Sequence, residues 1–89
     1  MNKLPVTLGS TVISKAGRDE GRIFLVVDSL DDEYVLISDG DTHKMEKPKK
    51  KKRKHLKVVI EADAEITERL QSSKMQNYEV REWLSHKEE

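Results

Sequence analysis

The 89-residue chain carries seventeen Lys/Arg, seventeen Asp/Glu, no cysteine and a formal net charge of zero. Without cysteine it can build neither a disulfide framework nor a thiolate zinc site. Its longest apolar run, Ile23 to Val27, is too short for a membrane span or a signal-peptide core, so a soluble cytoplasmic protein is expected. The distribution of charge says more than the total. Residues 1–57 hold thirteen Lys/Arg against nine Asp/Glu, a net +4, and residues 58–89 hold four against eight, a net −4. Within 43–57 nine basic residues face one acid, Glu46. A local positive footprint of this kind suits a polyanion, even when the overall pI is neutral.

In chain order, a leader over 1–8 contains Pro5, which argues against a helix. Gly9 to Ser14 reads as a first strand with Val12 and Ile13 buried. Lys15 to Gly21 is a loop with two glycines, Gly17 and Gly21, that can turn the chain where other side chains would resist. Arg22 to Asp28 follows as a strand, and its unbroken apolar run Ile23-Phe24-Leu25-Val26-Val27 predicts burial. A polar turn at Ser29 to Glu33 leads to a third strand, Tyr34 to Ser38. Asp39-Gly40 is a hairpin signal, with Thr42 to Met45 expected as the returning strand. Pro48 then opens the run Lys49-Lys50-Lys51-Lys52-Arg53-Lys54, expected to repel itself into a solvated loop. His55 to Ile60, with Leu56, Val58 and Ile60 alternating, supplies a fifth strand. From there the period changes. Asp63 is placed to cap a helix carrying Ile66 and Leu70, Ser72-Ser73-Lys74 breaks it, and Asn77 is placed to cap a second helix. Val80, Trp83 and Leu84 form an apolar stripe on that second helix.

Gly9, Val12, the loop Gly17-Arg18-Asp19-Glu20-Gly21 and the strand ending Val27-Asp28 resemble the KOW motif of ribosomal proteins and transcription elongation factors. Gly21 stands where that motif has its characteristic glycine. Asp31-Asp32-Glu33-Tyr34-Val35-Leu36-Ile37, the basic cluster and Lys54-His55-Leu56 extend the likeness over residues 9–57 to the fourteen-e family of large-subunit ribosomal proteins. The resemblance implies an SH3-like β-barrel that binds large-subunit ribosomal RNA. The acidic segment from Glu61 to Glu89 is a departure from that family, and the combination looks like a small stand-alone KOW RNA-binding protein. The expected fold is therefore mainly β with C-terminal α. A small SH3-like KOW barrel over 1–60 carries a basic loop at 46–54, and an acidic helical pair over 61–89 follows as an appendage.

The residues expected to contact RNA are Lys15, Gly17, Arg18, Gly21, Arg22, Lys44, Lys49, Lys50, Lys51, Lys52, Arg53, Lys54, His55 and Lys57. Lysines and arginines grip phosphate, and Arg18 is favoured because a guanidinium can hold phosphate bidentately or stack on an unpaired base. The glycines have a purely conformational reading as turn formers, and Asp19 a local one, pinning Arg18 or Arg22 or closing the loop. If six to nine cations neutralise phosphates, log K falls with log salt at a slope of about −5 to −8 on duplex counting. His43 and His55 lack metal-ligand spacing. With aromatics at 4% of the chain, a base-stacking platform is poorly supplied, which favours folded RNA over single strands. Glu61, Glu65, Glu68, Glu79 and Glu82 are candidates to lie against the lysine run and compete with RNA. No nucleophile, phosphate-loop motif or paired carboxylates suggest catalysis, so no enzyme, cofactor, metal, membrane or small-molecule substrate is expected. The expected partners are ribosomal RNA and ribosomal proteins. The rival reading is a protein-interaction adaptor for a translation or transcription component, with the Trp83 stripe exposed.

Overall fold

The computed structural model describes residues 5–72 and 75–85. Five strands, β1 (Thr11–Ser14), β2 (Ile23–Ser29), β3 (Tyr34–Ser38), β4 (Lys49–Lys52) and β5 (Leu56–Ile60), precede helices α1 (Ala64–Ser72) and α2 (Asn77–Ser85). They form one antiparallel sheet in the order β4-β3-β2-β1-β5. The mainly-β fold with C-terminal helices is thus as expected.

Strand β2 explains the architecture. Alternate side chains of a strand point to opposite faces. Phe24 and Val26 enter one core with Val12, Val35, Ile37 and Leu56, while Leu25 joins Ile66, Met75, Val80 and Leu84 in a second. Ile23 and Val27 pack against this second core from the same face of β2. An unbroken apolar run is what a strand buried on both faces requires, and here the second face is covered by the helix pair. The Val80, Trp83 and Leu84 stripe turns inward accordingly. Val80 and Leu84 are buried, and the Trp83 indole donates to Thr11 Oγ1 at 3.1 Å.

The helices start on different devices. Asp63 Oδ1 accepts the Ile66 N–H at 2.9 Å, the capping bond expected at α1. At α2 the cap is not Asn77. Gln76 precedes the helix, and Glu79 reaches back to its N–H at 2.8 Å, half of a capping box. Asn77 instead ties the helix to the sheet side, accepting the Met45 N–H at 2.8 Å and donating to Glu46 at 2.7 Å. Ser72 ends α1, and the rest of the expected Ser73-Lys74 break lies outside the described residues.

Two sequence expectations are corrected. Thr42 to Met45 is a turn rather than the returning strand. Asp39 Oδ1 accepts the N–H groups of both Asp41 and His43 at 2.9 Å, and the Ser38 hydroxyl donates to the His43 carbonyl at 2.6 Å. Such side-chain bonds compete with ladder pairing. The returning strand is β4, so the lysine run is not a solvated loop. Lys49 to Lys52 pair with Ile37 to Tyr34, and a 3-10 turn over Arg53–His55 leads directly into β5. Smaller shifts trim the strands: β1 begins at Thr11, β2 at Ile23 and β5 at Leu56.

Candidate nucleic-acid interface

The site is built where the β1–β2 loop meets β4. Ser14 and Arg22 close the loop through the Ser14 N–H to the Arg22 carbonyl at 3.0 Å, and Gly21 N–H donates to Ser14 at 2.8 Å. Gly21 has a φ of +86°, and a Cβ there would meet nothing within 4 Å. Its conformation demands glycine while its surroundings leave the backbone open to a ligand. Arg18 lies exposed in the same loop without a hydrogen bond or ion pair among the described residues.

Strand periodicity divides the basic run. Lys49 Nζ donates to Asp19 Oδ2 at 2.9 Å, and Lys51 Nζ donates to the Ala16 carbonyl at 3.2 Å, close beside Gly17. Two residues further, Arg53 donates from Nε and Nη2 to the Asp31 carbonyl at 3.1 and 2.9 Å. Its guanidinium also bonds the Val6 carbonyl and the Ser29 hydroxyl. On a flat sheet the β1–β2 loop would stand about 10 to 14 Å from β4, beyond the reach of a lysine. The sheet therefore bends until the odd-numbered cations span the gap. Lys50 and Lys52 take the other face, with ammonium groups 4.3 and 5.9 Å from the centre of the Tyr34 ring. Cation–π contacts of this kind hold a cation without neutralising it. Lys54, in the 3-10 turn, is exposed.

Asp19 is the anchor on the loop side, and only 5% of it is exposed. The hydrogen bond from Lys49 holds its carboxyl below the usual value of 3.8 against the opposing effect of burial, with Lys49 and His43 charge adding to the depression. His43 Nε2 lies 3.5 Å from the same carboxylate, too long for a good hydrogen bond, and finds no other hydrogen-bond partner among the described residues. Arg22 leans toward Asp19 at 3.8 Å but bonds Asp39 at 2.9 Å and Thr42 at 3.2 Å. The carboxylate read as a pin for Arg18 or Arg22 therefore pins Lys49 first.

His55 stands at the centre of the unpaired charge. Partial burial, and then the charges of Lys54, Lys51, Lys52 and Lys15, hold its imidazole below the ordinary 6.5. The Lys15 N–H donates to the His55 carbonyl at 2.7 Å, which docks the start of the loop on the 3-10 turn. Lys15, Lys52 and Lys54 gather near His55 with Lys51, and Arg18 is exposed on the adjoining loop. Lys50 shares the Tyr34 ring with Lys52 and adds its charge near the Asp31 carboxylate. Among the described residues none of Lys15, Arg18, Lys50, Lys52 and Lys54 makes a salt bridge. Lys57 projects from β5 opposite Ile13. Lys44 lies with Lys47, which sequence reasoning did not single out, beside a shallow groove at Thr42, His43 and Pro48.

Among the described residues, the helical glutamates do not lie on the lysines. Glu79 pairs with Arg69 at 2.9 Å, and among the described residues the one salt bridge to the basic strand is from Asp19, with the Asp31 carboxylate near enough to feel the Lys50 charge. Sequence reasoning passed over this anchoring role because thirty residues separate Asp19 from Lys49. No protein-family model matches the chain, and no characterised protein matches it significantly.

Proposed function

We propose that this chain is a non-catalytic RNA-binding protein of the KOW type, its bent sheet an SH3-like barrel, which docks on structured ribosomal RNA. The observation that carries the reading is the cationic face around His55, where Lys15, Lys52 and Lys54 lie close together without carboxylates. The glycine loop that starts from Lys15 exposes Arg18 and leaves the backbone open at Gly21. Phosphate contacts supply affinity and register and carry no sequence information by themselves. The exposed cations therefore suit the shape and backbone of folded RNA, while Arg18 can stack on or clamp one nucleotide. The adaptor reading loses its main support, since Val80 and Leu84 are buried in the second core.

Co-sedimentation with ribosomal particles across a salt series tests the reading. The protein is expected to travel with the large subunit at low salt and to be released as salt rises, with Arg18→Ala released earlier. Failure to co-sediment at any salt overturns it.

A further inference from the structure

Resting on the RNA reading, we propose that the alternation of β4 gives the basic run two separate roles. Lys50, Lys52 and Lys54 contact successive phosphates, whereas Lys49 and Lys51 are positioning residues that fasten the Ala16–Asp19 loop to β4. Arg53 fastens the segment before β1 in the same way. The contacts are arranged for this division. Three side chains at i, i+2 and i+4 reach Asp19, Ala16 and Val6, so they clamp the chain on both sides of β1 to the far edge of the sheet. The Lys49 charge is matched by the Asp19 carboxylate and the Arg53 guanidinium is engaged by several oxygens, so turning either group onto a phosphate loosens the clamp. Lys50 and Lys52 lie over Tyr34, and on an extended strand their backbone positions stand two residues, about 6.6 Å, apart. That spacing is near the separation of neighbouring phosphates along one nucleic-acid strand. The clamp matters to binding because it holds Arg18, on the loop, in fixed relation to these lysines.

The two roles separate in a salt-resolved binding experiment with a ribosomal RNA fragment. Replacing Lys50, Lys52 and Lys54 together by Gln removes three counterion-releasing contacts and should flatten the slope of log K against log salt by about 2 to 3. Lys49→Gln with Lys51→Gln should leave that slope within about one unit of the native value while lowering affinity. Because the second pair of changes also weakens the fold, Asp19→Asn provides the independent variant. It leaves every cation in place and makes the protein more positive by one charge. If charge alone governed binding, Asp19→Asn would bind RNA more tightly. The positioning role requires weaker binding, by roughly two- to tenfold, at a temperature where the variant is folded by its Trp83 fluorescence. It also requires that Arg18→Ala cost less in the Asp19→Asn background than in the native protein. Tighter binding by Asp19→Asn, or equal slope changes from the two lysine sets, overturns the division while leaving RNA binding intact. No RNA binding by the native protein overturns the RNA reading and the division together.

Discussion

Gly40 gives the sharpest test of how the helices are joined to the sheet. Its φ is +74°, and a Cβ built there would stand 2.3 Å from the Asn77 carbonyl oxygen and 3.1 Å from Arg81 Cγ. The approach is held by the Arg81 Nη1–H to the Gly40 carbonyl at 2.6 Å and by the Asn77 bond to Met45. Gly40→Ala therefore has two costs. The left-handed conformation disfavours alanine by about 1 kcal/mol, as at any such site. The clash with backbone must also push the first turn of α2 off the sheet, an overpacking cost of about 1 to 3 kcal/mol. The sum is about 2 to 4 kcal/mol, against a total stability of about 4 to 13 kcal/mol for a domain of this size. Gly21→Ala is the matched control, since its φ is +86° but no atom lies within 4 Å of the added methyl. Thermal unfolding followed through Trp83, which packs against the second core, measures both. Gly40→Ala should lower Tm by about 10 to 25 °C and Gly21→Ala by about 5 °C. Equal losses would refute the close approach of α2 to the β3 turn.

Other consequences follow from the same contacts. Ile66→Ala, in the core shared by β2 and both helices, should cost about 2 to 5 kcal/mol and preserve a single unfolding transition by fluorescence and circular dichroism; two transitions would mean that the helices fold apart from the sheet. Asp19, with its carboxyl held below 3.8, stabilises the fold above that pH, and the contribution disappears as pH falls through the lower folded value. An acid titration of stability should therefore be shallower in Asp19→Asn than in the native protein. His55, held below 6.5 by burial and the surrounding lysines, should titrate at higher pH once RNA phosphates offset those charges. NMR titration of its ring protons with and without RNA reads the change, and an unmoved His55 would place the RNA elsewhere.

The sheet was legible where composition and spacing agreed. The run Ile23 to Val27 could only be a buried strand, and the Ile66 and Val80 stripes announced helices with one apolar side. The lysine run was illegible for a physical reason. Strand periodicity is read from alternation of polarity, and a run of identical charges has none, so β4 looked like a loop. Its partner β3 supplies the missing information, because Val35 and Ile37 bring Lys51 and Lys49 to the core side. The displaced hairpin has a similar cause. Asp39 and Ser38 draw Thr42 and His43 into a turn through side-chain bonds that no hydrophobic pattern records. The basic interface could be located by charge counting. Which of its cations are free could not, since that depends on acceptors at Val6, Ala16 and Asp19.

The central claim is that an unpaired cationic face binds RNA, and it reduces to one slope. The five cations assigned to RNA, Lys15, Arg18, Lys50, Lys52 and Lys54, none of which makes a salt bridge among the described residues, correspond to a slope of about −3.5 to −4.5 in log K against log salt, shallower than the whole basic run would give. Equilibrium binding of the native protein to a folded ribosomal RNA fragment over a salt series measures it directly. A slope in that range, with measurable affinity at physiological salt, is the predicted result. A slope near zero, or no binding at that salt, would contradict the account.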